Sequence, residues 1–243
     1  MADILIGYSA CPLTRHAFEQ HGHNVWTCDR LPARDGHTNH FQCDIWDVLH
    51  QPWAMAVLHP MCTYLTVSAA WALKDPDFDK YPGIGYHQRI SVGTLVGEAR
   101  RGAQAEALGN FRKLLALPYP VVIENPAPSF VSKAIRQPDQ IIQPWQFGDD
   151  ASKSTGLWLK DLPPLAPTAR VPGWIVTYNG KQVERWANQT DSGQNKLTPS
   201  DTRWLERSKT YPGIAAAMGD QWGRLFHASH CPQQLNLTLE QAA

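Results

Sequence analysis

Cys62 and Glu124 are the side chains whose types and settings point most directly to covalent chemistry. Cys62 stands in Leu58-His59-Pro60-Met61-Cys62-Thr63-Tyr64, directly after the apolar run Ala54-Met55-Ala56-Val57-Leu58. A short apolar run bounded by proline reads as a buried strand, which puts the cysteine on the loop at its end. A second apolar run, Val121-Val122-Ile123, ends in the same way at Glu124-Asn125-Pro126. In open α/β sheets the loops beyond the carboxyl ends of the strands form the ligand crevice, so two parallel strands would bring a thiol and a carboxylate to one rim. Such a pair can attack a heteroaromatic ring and protonate it. A thiol is the strongest neutral-pH nucleophile a protein offers. Partial burial of Glu124 predicts a raised pKa and a carboxyl able to donate a proton. The structural alternatives are a cysteine acting as a small buried hydrophobe and a glutamate acting as a hydrogen-bonding strut.

The elements that would position this pair alternate in type. Ile4-Leu5-Ile6 reads as a first strand, closed by Gly7-Tyr8-Ser9-Ala10-Cys11-Pro12, with a helix over residues 13–21 and a stop at Gly22. Asn24-Val25-Trp26-Thr27-Cys28 reads as a second strand ending at Asp29, and Phe41-Gln42-Cys43-Asp44 as a short third. A turn of helix over residues 45–49 leads to the strand before Cys62. A long helix over residues 100–117 precedes Val121. This alternation predicts an α/β fold with a doubly wound, mainly parallel sheet. Asp75-Pro76-Asp77 and Pro82-Gly83-Ile84-Gly85 break the pattern and predict a mobile loop beside Cys62. After residue 127, Gly156-Leu157-Trp158-Leu159 is the one clear strand, and Trp174-Ile175-Val176 a further candidate. Residues 1–160 and 196–243 read as one catalytic domain, and residues 161–195 as a small irregular recognition segment.

The first strand and its loop would offer backbone N–H groups of Gly7, Tyr8 and Ser9 to a nucleotide-like cofactor. An acid at the end of the second strand, Asp29, commonly binds ribose hydroxyls in such folds. Asp44, after the third strand, is suited to receive the exocyclic amine of an adenine. Both acids could equally be loop caps.

Composition narrows the classes. The 243 residues are 43% apolar and 18% charged with a formal net charge of zero, which fits an ordinary globular protein. The absence of a basic excess argues against a strong, salt-sensitive grip on long DNA, while leaving room for a local basic groove. No apolar stretch approaches the ~20 residues of a membrane span, and the start of the chain has no charged leader, so the expected location is the cytoplasm. Cys11, Cys28, Cys43, Cys62 and Cys231 lack CxxC spacing and read as free thiols. His37, His40 and Cys43, or His227, His230 and Cys231, are the nearest approach to a metal site; neither has a second half at zinc spacing, and no metal is expected.

Read in order, these segments resemble the DNA cytosine-5 methyltransferase family. Residues 7–18 are similar to its first S-adenosyl-L-methionine motif, and Asp29 and Asp44 match its acidic positions. Pro60-Met61-Cys62 resembles its Pro-Cys catalytic loop, and Glu124-Asn125-Pro126 its Glu-Asn-Val-type motif. Residues 196–201 with Trp204-Leu205 and Tyr211-Pro212 resemble its late helix-opening motif, and residues 213–222, with Gly219, its last one. The resemblance implies a Rossmann-like methyltransferase fold, S-adenosyl-L-methionine as cofactor (held by Gly7, Tyr8, Ser9, Asp29, Asp44, Pro60 and Gly219) and DNA as partner. It implies Cys62 as nucleophile, Glu124 as its assistant, and Asn125 and Pro126 at the substrate. Lys153, in Ser152-Lys153-Ser154-Thr155, would supply the charge of the family's Gln-Arg-Arg motif, which has no literal copy here; Thr155 and Trp145 would contact the base, with Phe147 and Trp158 as further stacking candidates. Ala10, Cys11 and Pro12 stand where the family has more glycines. The short recognition segment implies single-stranded DNA, relaxed sequence specificity or a smaller substrate. Two other readings stay open: the same Cys/Glu chemistry on a free pyrimidine nucleotide or with another one-carbon group, and a non-catalytic protein that keeps only the scaffold. No obligate protein partner is implied.

Overall fold

The computed structural model describes residues 1–198 and 210–226. Part of the late motif (Pro199, Ser200, Asp201, Trp204, Leu205) and the His227, His230 and Cys231 group lie outside the described residues.

The apolar runs become the centre of a seven-stranded sheet ordered β3-β2-β1-β4-β5-β7-β6. Its strands are β1 (Asp3–Gly7), β2 (Asn24–Asp29), β3 (His40–Gln42), β4 (Met55–Leu58), β5 (Val121–Pro126), β6 (Gln140–Ile142) and β7 (Thr155–Lys160). The first five pair in parallel, and β7 runs antiparallel to both β5 and β6. The fold is therefore α/β with a mainly parallel sheet, as the alternation predicts, and its first five strands follow the doubly wound order 3-2-1-4-5.

Burial on both faces explains why β1, β4 and β5 read as unbroken apolar runs. Ile4 and Ile6 join Val57, Val122, Phe18, Met218 and Trp222 on one side, while Leu5 joins Ala56, Leu58, Val121, Ile123, Phe111 and Leu114 on the other. Helix α1 (Pro12–Glu19) and helix α4 (Pro212–Gly223) pack together on the first side. Helix α2 (Gly97–Leu115) covers the second, and a single turn, α3 (Val131–Ala134), follows β5.

Three boundaries differ from the sequence reading. β5 runs on through Glu124, Asn125 and Pro126, because β7 pairs with them as Leu157, Gly156 and Thr155 after β4 has ended at the Leu58–Ile123 pair. The edge strand β6 is absent from the reading because it is three residues long. Residues 161–195 contain an antiparallel hairpin, β8 (Trp174–Tyr178) and β9 (Lys181–Arg185), turned at Asn179 and Gly180. Both turn residues have positive φ, 50° and 74°, as a tight two-residue hairpin turn requires. The rest of that segment is bound to the sheet domain: Trp222 Nε1 donates to Pro163 O at 2.9 Å, and Val171 N to Trp145 O at 2.8 Å. Among the described residues no helix is long and apolar enough to cross a membrane.

Candidate active site

Strand order reverses direction between β1 and β4, and the crevice outside the carboxyl ends of those strands is where such sheets bind ligands. Gly7 ends β1 opposite Leu58, and the next residue of β4's loop, His59, donates its N–H to Gly7 O at 3.1 Å. The Cys62 loop therefore starts at the switch point.

The loop is tied at both ends to the strand that carries Glu124. At its start, His59 Nδ1 lies 2.9 Å from Glu124 Oε2, with both side chains largely buried (16% and 13% exposed). At its far end Phe130 N donates to Leu65 O at 2.7 Å, Ser129 Oγ donates to the same carbonyl at 2.9 Å, and Thr66 bridges Ser129. Between these ties Cys62 O accepts from Leu65 N and Thr66 N, both at 3.0 Å, closing a turn around the cysteine. Helix α2 clamps the other side: the buried Arg100 donates to Thr63 O at 2.9 Å and lies over the Tyr64 ring, and Gln104 donates to Tyr64 O. Cys62 is a free thiol, half-buried.

Glu124 departs from expectation in its protonation. Burial alone would push its carboxyl up, but the charge and hydrogen bond of His59, with the charge of Lys153, overcome this and hold it down at about 2. Lys153 Nζ is 3.9 Å from the other oxygen, Oε1. Glu124 is thus a carboxylate at neutral pH rather than the proton-donating acid that partial burial suggested. His59 is the cause, and it carries no role in the sequence reading.

The remaining predicted positions divide. Asn125 is fully buried, with Oδ1 accepting from Ser129 Oγ at 3.3 Å, and Pro126 closes β5 against Thr155. Thr155 is buried and its hydroxyl donates to Lys153 O, so it braces its own loop instead of facing a substrate. Trp145 is stacked on Trp186 at 5.1 Å and 7° and holds the Arg170 guanidinium 4.8 Å over its ring, so its π-system is engaged within the fold and not offered to a base. Phe147 and Trp158 are core. The Lys153 stretch is pinned by two residues that no motif marks: Gln143 Oε1 accepts from Lys153 N at 2.9 Å, and Asn188 pairs with both Ser152 N and Ser152 O.

On the neighbouring rim, Tyr8 follows β1 with φ 57°, a left-handed conformation unusual for a bulky residue, of the kind that concentrates at functional sites. Its phenol is pushed up by burial and by Asp44 and Cys28. Ser9 donates its N–H to Cys28 O, and its hydroxyl turns to Cys11. A Cβ at Gly7 would stand 2.6 Å from Leu58 Cδ2 and 2.7 Å from Ile45 Cδ1, so both side-chain ends would have to shift to admit one. Asp29 accepts from Leu31 N at 2.9 Å. Asp44 caps the turn at Trp46 N and is paired with the exposed Arg30, whose hydrogen bond is the main reason its carboxyl lies below the usual range. Both acids do act as caps, and both remain at the strand ends. Pro60 follows His59 in the loop, half-buried. Gly219 lies instead in the α1–α4 contact, where a Cβ would meet Ala17 O at 2.5 Å, so helix packing accounts for that glycine.

No family model matches the sequence, and no curated protein matches it.

The functional reading therefore rests on the site itself. Among the described residues no group of His, Cys, Asp and Glu could hold a metal ion. In residues 161–195, the β8–β9 hairpin sorts its side chains by face. Trp174, Val176 and Tyr178 stand opposite Arg185, Val183 and Lys181, while Glu184 lies on the reverse face, paired with Arg170 at 2.8 Å. Lys196 sits 5.1 Å over the Trp174 ring, and Trp174 and Tyr178 are exposed. Within the hairpin this face is aromatic and cationic without an acid, with Lys196 over Trp174 and Arg185 over Tyr178, so it offers positive charge, which suits phosphates.

Proposed function

We propose that this protein transfers a methyl group from S-adenosyl-L-methionine to carbon 5 of cytosine in DNA, through a covalent Cys62 adduct. The observation that carries the reading is the double tie of the Cys62 loop to the Glu124 strand at the sheet's switch point. A nucleophile and a charged hydrogen-bonding group are held there to one geometry, which lowers the entropic cost of reaction. The sulfur of Cys62 adds to carbon 6 of the ring, and the charge so created spreads toward the ring edge facing the His59–Glu124–Lys153 cluster. If the target is a duplex, the base leaves the stack first, at a few kcal/mol. The aromatic and cationic hairpin face favours a nucleic-acid strand over a free nucleotide.

The residues beside Gly7 fit the cofactor. The loop after β1 carries the strained Tyr8, and Asp29 and Asp44 present carboxylates at the ends of β2 and β3. When bound, S-adenosyl-L-methionine supplies an electrophilic methyl group. Asp44 would bind the adenine amine, and Asp29 the ribose hydroxyls. Asp44→Ala is expected to weaken cofactor affinity about tenfold or more by calorimetry, together with a loss of about 1 kcal/mol of stability from the vacated cap. Unchanged affinity would remove Asp44 from the pocket.

Incubation with the cofactor and mixed-sequence DNA, then digestion and mass spectrometry of the nucleosides, tests the proposal. The expected product is 5-methylcytosine. Modified deoxycytidine monophosphate with unmodified DNA would favour the nucleotide reading, and cofactor binding without any product would favour a non-catalytic scaffold.

A further inference from the structure

His59 has one ring nitrogen committed and one without a partner. Nδ1 is held by Glu124 at 2.9 Å, and Nε2 is buried with no hydrogen-bond partner. A buried polar atom left unpaired costs about 1–3 kcal/mol, and native proteins seldom keep one without a water, an ion or a catalytic role to account for it. A carboxylate on Nδ1 fixes the orientation of the imidazole, leaving Nε2 as the only ring position at which a ligand can exchange a proton. The residue lies three positions before Cys62, on the loop whose start it anchors.

We propose that His59, rather than Glu124, is the catalytic acid of this site, with Glu124 as the positioning residue that orients it. The inference rests on the cytosine reading above. In the addition step the Cys62 sulfur, as thiolate, forms the S–C6 bond. The electron pair of the C5=C6 bond shifts through C4 to ring nitrogen 3, which takes the proton of His59 Nε2. The imidazole is left neutral, with Nδ1–H still donated to Glu124. Reversal breaks S–C6, restores C5=C6 and returns the proton from nitrogen 3 to Nε2. While the adduct lasts, carbon 5 can accept a solvent deuteron and lose its own hydrogen to solvent, so exchange at carbon 5 reports the addition with no methyl donor present.

Glu124, from β5, faces His59 directly, and Lys153, from the stretch before β7, faces the other oxygen of Glu124. A group that must carry a proton to act gives turnover that falls as pH rises. His59→Asn keeps a donor at the Nδ1 position for Glu124 and removes Nε2; His59→Gln keeps a donor near Nε2 that cannot be transferred. Both are expected to lower carbon-5 deuterium exchange and methylation of cytosine in DNA by about 10²–10⁴-fold and to lose the high-pH decline. Thermal denaturation of each variant checks that the fold is kept, and partial recovery of exchange by added imidazole in His59→Gly separates proton transfer from packing. Wild-type rate and pH profile in folded His59→Asn would overturn the role of His59 while leaving the Cys62 reading intact. Absence of both exchange and methylation in the wild-type protein would overturn the cytosine reading, and the role of His59 with it.

Discussion

Cys62→Ala is expected to eliminate 5-methylcytosine formation, a loss of at least about 10³-fold, and with it any DNA adduct that survives denaturation. The expectation rests on chemistry that no neighbour can replace. Carbon 5 of cytosine is too electron-poor to take a methyl group until a nucleophile has added at carbon 6, and among the described residues Cys62 is the thiol on the loop tied to Glu124. The substitution should leave the fold alone. The loop is held by the His59 contact, by Leu65 and Thr66 against Ser129 and Phe130, and by the Cys62 carbonyl, and alanine keeps all of these. Stability should then stay within about 0.5 kcal/mol of wild type, and cofactor affinity within error. Methylation retained by a folded Cys62→Ala protein would sink the covalent scheme.

What was legible in the sequence follows from where information is local. β1, β4 and β5 announce themselves because they are buried on both faces, and the prolines after Leu58 and Glu124 mark the rim. Cys62 and Glu124 could be brought to one edge from those runs alone. The protonation of Glu124 could not, since burial and charge oppose each other there and the deciding partner, His59, comes from another strand's loop. Trp145 shows the same limit for aromatics: its type suits a base, but Trp186 and Arg170, distant in sequence, occupy it. β6 and β9 carry no apolar periodicity, because one is a three-residue edge and the other is half-exposed or exposed throughout. Gly219 falls in a segment that resembles a cofactor motif, whereas Ala17 on α1 supplies the reason for a glycine there.

Strain and charge gather at the same rim. Tyr8 in a left-handed conformation costs of order 1–3 kcal/mol, and it adjoins the carbonyl of Gly7 that anchors His59. A protein that needed only a stable sheet would put glycine or asparagine at that position. The conformation sets the direction in which the β1 loop leaves the sheet, and therefore the shape of the crevice shared by the two sides of the proposed site.

Glu124→Gln should act on rate and on acid stability at once, which makes it the most discriminating change to this cluster. Glutamine keeps an acceptor for His59 Nδ1 but removes the negative charge that balances His59 and Lys153. Turnover is expected to fall by about 10²–10⁴-fold, because the charged partner that orients His59 is lost. For stability the sign follows from the depressed pKa. The carboxyl goes from 4.5, its ordinary value, to about 2 in the folded protein, so the ionised form stabilises the fold above the ordinary value. That contribution is lost as pH falls from about 4.5 through about 2, and it amounts to roughly 3 kcal/mol at most. Denaturant unfolding at pH 7, 4.5, 3 and 2 should show the wild type losing this increment on acidification and Glu124→Gln lacking that part of the slope. The two proteins should therefore differ most at neutral pH and converge near pH 2. Parallel stability profiles would mean that His59 and Lys153 do not hold the carboxylate in solution, and the charge balance on which the site depends would have to be sought elsewhere.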